Sequence, residues 1–204
     1  MYIQSFFDGG YGSMCYLVTD AKRESAVVID PSIPPSAVRQ RVGALPTVTA
    51  ILLTHGHFDH VLALDAWREE TGAPVLIGAP DGSMLTDPLL SCYRSFLSRE
   101  TTHAPAERLL SEGERIPLGE EAFTVMMTPG HTAGSCVYVT DGAVFTGDTV
   151  FAYGGYGRYD LPSGSAAHLI KSIHKILSLP EDYRIYPGHG GDTTVGAERP
   201  YHAF

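Results

Sequence analysis

Basic residues are scarce in this 204-residue chain: 14 Lys and Arg stand against 23 Asp and Glu, a formal net charge of −9. A phosphate backbone is bound through lysine and arginine that displace its counterions, so nucleic acid is not an expected partner and nuclease chemistry is disfavoured. No apolar run approaches the roughly 20 residues that span a bilayer, and Met1-Tyr2-Ile3-Gln4-Ser5 lacks the basic start of a secretion signal. The expectation is a cytoplasmic protein with no membrane partner. Cysteine is rare as well. Cys15, Cys92 and Cys136 are odd in number and show no C-x-x-C spacing, which excludes a disulfide framework and a zinc ribbon and leaves reduced, buried thiols. The length fits one domain over residues 1–204. These features leave the oligomeric state open.

Histidine is plentiful, with nine residues, and four of the best metal donors fall within Thr54-His55-Gly56-His57-Phe58-Asp59-His60. This run follows the apolar stretch Thr49 to Leu53. Imidazole and carboxylate crowded on a turn beyond a buried strand aim several lone pairs at one place. Asp59 and His60 are adjacent and must diverge, so the four donors are expected to split between two metals. His131, Asp148 and His189 each sit in a glycine-rich setting at the end of an apolar run, where sites are commonly built. His103, His168, His174 and His202 lie outside this pattern and are assigned no role.

Short β-branched or aromatic runs alternate with glycine, proline and helical periods. Tyr2 to Phe6, Met14 to Val18 and Ala26 to Ile29 read as an antiparallel meander, and Phe123 to Met127, Cys136 to Val139, Ala143 to Phe145 and Arg184 to Tyr186 as later strands, with a tight turn at Asp141-Gly142. Helices are predicted over Pro34 to Val42, Asp59 to Glu70 and Ala166 to Leu177. The second would begin inside the metal motif and bring the positive end of its dipole to Asp59. The stretch from Ala79 to Glu112 reads as a less regular insertion over the rim of the site, broken by Pro80, Pro88 and Pro105, with helical patches at Met84-Leu85 and Tyr93-Phe96-Leu97.

The ordered set His55-x-His57-x-Asp59-His60, Thr128-Pro129-Gly130-His131-Thr132, Phe145-Thr146-Gly147-Asp148-Thr149 and Pro187-Gly188-His189-Gly190 resembles the metallo-β-lactamase-fold hydrolases over nearly the whole chain. Leu85-Thr86-Asp87-Pro88 and Gly157-Arg158-x-Asp160 add a narrower likeness to the short bacterial glyoxalase II-type hydroxyacylglutathione hydrolases. The resemblance implies an α/β (α+β) fold, a four-layer αββα sandwich. It implies that His55, His57 and His131 hold one divalent ion, that Asp59, His60 and His189 hold a second, and that Asp148 bridges both. Zinc is the expected metal, although mixed imidazole and carboxylate donors also accept iron and manganese. The long glyoxalase II enzymes carry a C-terminal helical domain with basic residues for glutathione; no such domain is expected in this chain, which stops at Phe204.

Two close cations bring a bridging water toward ionisation at neutral pH, so the expected reaction is hydrolysis of a thioester, S-lactoylglutathione or another hydroxyacyl-thiol, with solvent as nucleophile. A thiolate leaves without a strong general acid. Asp148 and Asp59 are the catalytic candidates, Asp59 as a proton carrier. Asp30 is a candidate acceptor for the far N–H of a ligand imidazole, with Thr54, Thr132 and Asp160 read equally well as turn or capping residues. The aromatic loop after Asp148 supplies the substrate-contact candidates Tyr153, Tyr156, Tyr159 and Arg158, the last through a bidentate grip on a substrate carboxylate. Three rival readings are a persulfide dioxygenase with one Fe(II) on His55, His131 and Asp148, a lactonase with the dinuclear site, and a non-catalytic module, whose mark would be a missing ligand. A β-lactamase is disfavoured, because the zinc lactamases resembling this fold often place cysteine where Asp148 stands.

Overall fold

Neighbouring residues of the central strands point to opposite sides of their sheet, and in this protein both sides are apolar. Val27 and Ile29 face one core while Val28 between them faces another; Ala50 and Leu52 alternate in the same way with Ile51 and Leu53. A strand greasy on both faces demands a covering layer on each. The computed structural model, which describes residues 1–7 and 9–202, supplies them.

The first half forms a six-stranded sheet in sequence order, from β1 (Tyr2–Phe7), β2 (Met14–Thr19) and β3 (Ser25–Ile29) through β4 (Thr47–Leu53) and β5 (Val75–Gly78) to β6 (Arg108–Leu110). The first three strands are antiparallel, and the last three continue parallel to β3. Parallel pairing needs crossovers, and these are α1 (Pro35–Val42) and α2 (Leu64–Thr71), with the short α3 (Tyr93–Leu97) before β6. Pro34 and Pro35 start α1, where a missing N–H costs nothing.

The second half builds another six-stranded sheet from β7 (Arg115–Leu118), β8 (Glu121–Met127), β9 (Cys136–Thr140), β10 (Ala143–Gly147), β11 (Arg184–Pro187) and β12 (Thr193–Thr194). Here α4 (Ala166–Leu177) crosses from β10 to the parallel β11, and α5 (Val195–Glu198) follows β12. Tyr16, Leu52 and Leu76 of the first sheet meet Phe123, Tyr138 and Phe145 of the second in a central core. Val38, Leu64 and Trp67 of α1 and α2 cover the outer face of the first sheet, while Leu169, Ile173 and Ile176 of α4 cover the outer face of the second. The result is the four-layer αββα sandwich. Among the described residues no helix is long and apolar enough to cross a membrane.

Two expectations are corrected. The second helix begins at Leu64 rather than Asp59: Phe58–His60 close a single 3₁₀ turn, and Val61 leaves helical geometry before α2 starts. The dipole of α2 therefore does not act on Asp59. The stretch 79–112 carries its two expected helical patches as a 3₁₀ segment Ala79–Thr86 and α3, but it also contributes the strand β6, which was not expected. Cys15, Cys92 and Cys136 are buried free thiols.

Candidate metal centre

Four strand ends converge at one edge of the sandwich. His55 follows β4, His131 follows β8, Asp148 follows β10 and His189 follows β11, while Asp59 and His60 sit in the 3₁₀ turn. Glycine makes the convergence possible at two of these ends. Gly147 has φ +48 and a Cβ there would collide with the Thr54 side chain, and a Cβ on Gly188 would collide with the Asp148 carboxylate.

All seven predicted ligand residues meet here in three overlapping groups that could each hold an ion: His55, His57 and His131; His55, His60 and Asp148; and Asp59, His60 and His189. In the group of His55, His57 and His131, the first group below, His57 Nδ1 lies 2.9 Å and His55 Nε2 3.3 Å from His131 Nε2. Donors about 2.0–2.1 Å from a tetrahedral ion lie about 3.3 Å from one another, which this spacing approaches. In the group of Asp59, His60 and His189, the second below, Asp59 Oδ2 lies 3.3 Å from His189 Nε2 and 3.6 Å from His60 Nε2. Asp148 stands between the two. Its Oδ1 is 3.2 Å from His60 Nε2, and its Oδ2 is 3.5 Å from both His131 Nε2 and His189 Nε2.

Neighbouring groups fix which nitrogen of three rings is turned into the cluster. His131 Nδ1 donates to the Arg158 carbonyl at 2.6 Å, and His60 Nδ1 donates to Asp30 Oδ2 at 3.0 Å. Thr54 Oγ1 donates to Asp30 Oδ2 at 2.7 Å, so its lone pair accepts from His55 Nδ1 at 3.1 Å. Each arrangement puts a proton on Nδ1 and turns Nε2 into the cluster, so Nε2 is the atom that would meet a metal, at His60 once the proton held there by the carboxylates has left. Buried His60 Nε2 and Asp148 Oδ1 have no hydrogen-bond partner, an expense that a cation between the two groups would remove. The donor set fits a pair of divalent ions.

The electrostatics divide along the same line. Burial, reinforced by neighbouring imidazoles, holds His55 well below the usual histidine range and His57 down to about 3. Burial pushes His60 and His189 the same way, but carboxylates outweigh it: Asp59, Asp148 and Asp30 hold His60 well above its ordinary value, and Asp148 and Asp59 raise His189 to about 10. Burial would raise Asp148 and Asp59, yet His60 and His189 hold both below the ordinary carboxylate value, Asp148 far below. Without ions, protons take the place of cations beside the carboxylates.

A cavity of about 380 Å³ opens over the cluster, with Tyr11, Phe58, Phe96, Phe151 and Arg158 in its wall. Tyr153, Tyr156 and Tyr159, read above as substrate contacts, do not line it. The buried Glu198 carboxylate accepts the backbone N–H of Tyr153 and of Gly154, drawing the loop toward α5 and leaving Tyr153 in solvent. Tyr156 and Tyr159 line a separate apolar cavity against α4. Phe151 takes their place beside the cluster, its ring 5.8 Å from that of His189. Arg158 reaches the cleft with its fork closed on Asp160, both bonds 2.7 Å long.

Sequence reading also missed Asp81. Its buried carboxylate accepts from Thr132 Oγ1 at 2.6 Å, from Gly134 N at 2.7 Å and from Gly56 N, tying the loop of His131 to the loop of His55 and His57. Burial, partly offset by these donors, raises its pKa to about 6.

Comparison with known proteins agrees with this architecture. The family model of the metallo-beta-lactamase superfamily matches residues 8–189. The chain is 35% identical over 195 residues to the probable metallo-hydrolase YqgX of Bacillus subtilis, covering 93% of this chain and 90% of that one. Among solved structures, the BLEG-1 B3 metallo-beta-lactamase superposes with a TM-score of 0.90 at 35% identity, covering 100% of this chain and 99% of that one. TTHA1623 in a di-iron-bound form superposes with a TM-score of 0.82, also at 35% identity, covering 96% of each. These names do not separate the glyoxalase II branch from others. With the sandwich, the strand-end ligands and the match over residues 8–189 in agreement, the chain belongs to the metallo-beta-lactamase superfamily.

Proposed function

We propose that this protein is a dinuclear-metal hydrolase that cleaves a thioester of the hydroxyacyl-thiol class, S-lactoylglutathione or a relative. The observation that carries the reading is the position of Asp148, in reach of His131 on one side and of His60 and His189 on the other. His55, His57 and His131 would hold one ion and Asp59, His60 and His189 the other, with Asp148 shared. Bound there, the pair supplies a water ionised near neutral pH and positive charge beside a substrate carbonyl. The metals would be zinc, with iron or manganese as further occupants; the di-iron form of TTHA1623 supports that breadth.

The chain's own residues do the rest. Asp30 and the Arg158 carbonyl hold the His60 and His131 rings in the required tautomer. The aromatic wall over the cluster receives the organic part of the substrate and excludes water from it. Asp59, partly exposed at the cluster edge, is placed to carry a proton outward from its Oδ2. No further acid is needed, because a thiolate departs unprotonated.

Cleavage of a β-lactam amide is the second reading, supported by the likeness to BLEG-1. An amine leaving group needs a proton, and Asp59 would have to deliver it.

The deciding experiment is hydrolysis of S-lactoylglutathione, short acyl thioesters and a chromogenic cephalosporin by purified protein, with bound metal counted on the same sample. Thioester turnover that disappears on chelation, with about two ions per chain, is the expected result. Cephalosporin turnover alone would replace the thioesterase by the lactamase reading. No turnover with one iron per chain would move the assignment to an oxygenase.

A further inference from the structure

Resting on the thioesterase reading, and choosing within its hydroxyacyl-thiol class against S-lactoylglutathione, we propose that the thiol half of the substrate is apolar and uncharged, and that Asp160 is the specificity-determining residue that keeps it so. The cleft wall is built around Phe58, with Tyr11 edge-on to it at 5.1 Å and Phe96 stacked on it at 5.8 Å. Tyr11 and Phe96 remain about half exposed, 47% and 51%. An aromatic wall left open at the mouth of a cleft is area that an apolar ligand covers and a charged one does not.

Charge at the mouth points the same way. Among the described residues lining the cleft, Arg158 is the one lysine or arginine. Its Nε and Nη2 donate to the two oxygens of Asp160, and its guanidinium carbon lies 5.9 Å from the Phe96 ring. Such an exposed ion pair adds little to stability, but it presents an incoming anion with a neutral object instead of a cation. A substrate carboxylate would have to displace Asp160 and then sit beside its negative charge. Glutathione brings two carboxylates to a mouth with no uncommitted lysine or arginine among its described lining. An uncharged thiol meets no such obstacle, and its stem packs on Phe96 and Tyr11.

The test is calorimetric titration of the metal-loaded protein with two thioethers that cannot be hydrolysed and share one alkyl chain, S-hexylglutathione and N-acetyl-S-hexylcysteamine. The uncharged ligand is expected to bind about tenfold tighter, and Asp160→Asn to close much of that gap by raising affinity for S-hexylglutathione about three- to tenfold at low salt. Equal or tighter binding of S-hexylglutathione by the unaltered protein, or a ratio unmoved by Asp160→Asn, overturns the inference. The thioesters with the same two thiols separate it from the reading it rests on. If neither is hydrolysed while the uncharged thioether still binds tighter, the specificity of the cleft stands and the thioesterase falls. If both are hydrolysed but the glutathione ligand binds tighter, the reverse holds.

Discussion

The two ligand groups share Asp148 and one strand-end platform, yet they are different chemical objects. His55, His57 and His131 are almost wholly buried, and burial keeps His55 and His57 neutral. In the second group, Asp59 and His189 are partly exposed, with side chains 14% and 28% accessible, and the carboxylates keep His60 and His189 protonated. In one group burial holds two imidazoles neutral; in the other, protons stand on imidazoles beside carboxylates. The two should therefore differ in how they take up metal.

The harshest way to break the comparison is to remove what the groups share. Asp148→Ala deletes the carboxylate that touches both, and is expected to empty both sites and lower turnover by about a thousandfold or more. Metal analysis on the dialysed variant, beside its steady-state rate, checks this. Full occupancy by two ions would mean that Asp148 bridges nothing.

Acid sharpens the contrast without a mutation. In the second group an ion must displace protons held by His189, whose pKa is about 10, and by His60, which lies higher than usual as well. Affinity there should climb by about tenfold per pH unit for each proton released, up to the pKa of the group that loses it. His55 and His57 are neutral already at pH 6, so they add no such slope to the first group. Calorimetry at pH 7 in buffers of different ionisation enthalpy counts the protons. Uptake of the second ion with no proton released would contradict the division.

The convergence of the seven candidate ligands was legible in the sequence because each lies in a short window at a strand end, and His55-x-His57-x-Asp59-His60 carries four of them in one turn. The start of α2 was not, because the apolar spacing of that helix abuts the metal motif, while Phe58–His60 close a separate 3₁₀ turn and Val61 leaves helical geometry. The strands β5 and β7 were missed for want of length, and β7 also contains Pro117, which an edge strand tolerates. That the tyrosines after Asp148 stand away from the cleft left no local signal, because the residue that turns their loop, Glu198, lies 45 positions from Tyr153. Asp81 left no local signal at all: its partners Thr132 and Gly134 lie 51 and 53 residues away.

Asp30 and Asp81 give the finest version of the comparison, since neither faces the cleft and each supports the ligands differently. Asp30 holds His60 directly and His55 through Thr54, so Asp30→Asn should weaken both groups, about ten- to a hundredfold at the second, where the contact is direct. Asp81 touches only the backbone and hydroxyl of the loops carrying His55, His57 and His131. Asparagine there would oppose an amide N–H to one of three donors, displacing the first group alone and costing it about tenfold in affinity. Cobalt(II) titration followed by d–d absorption reads the two sites apart, because a three-imidazole ion and a carboxylate-rich ion differ in ligand field. Equal loss at both sites in Asp81→Asn would show that the loops move as one body. Unchanged cobalt binding with only a lowered Tm would leave Asp81 a brace of the fold with no part in positioning the metals.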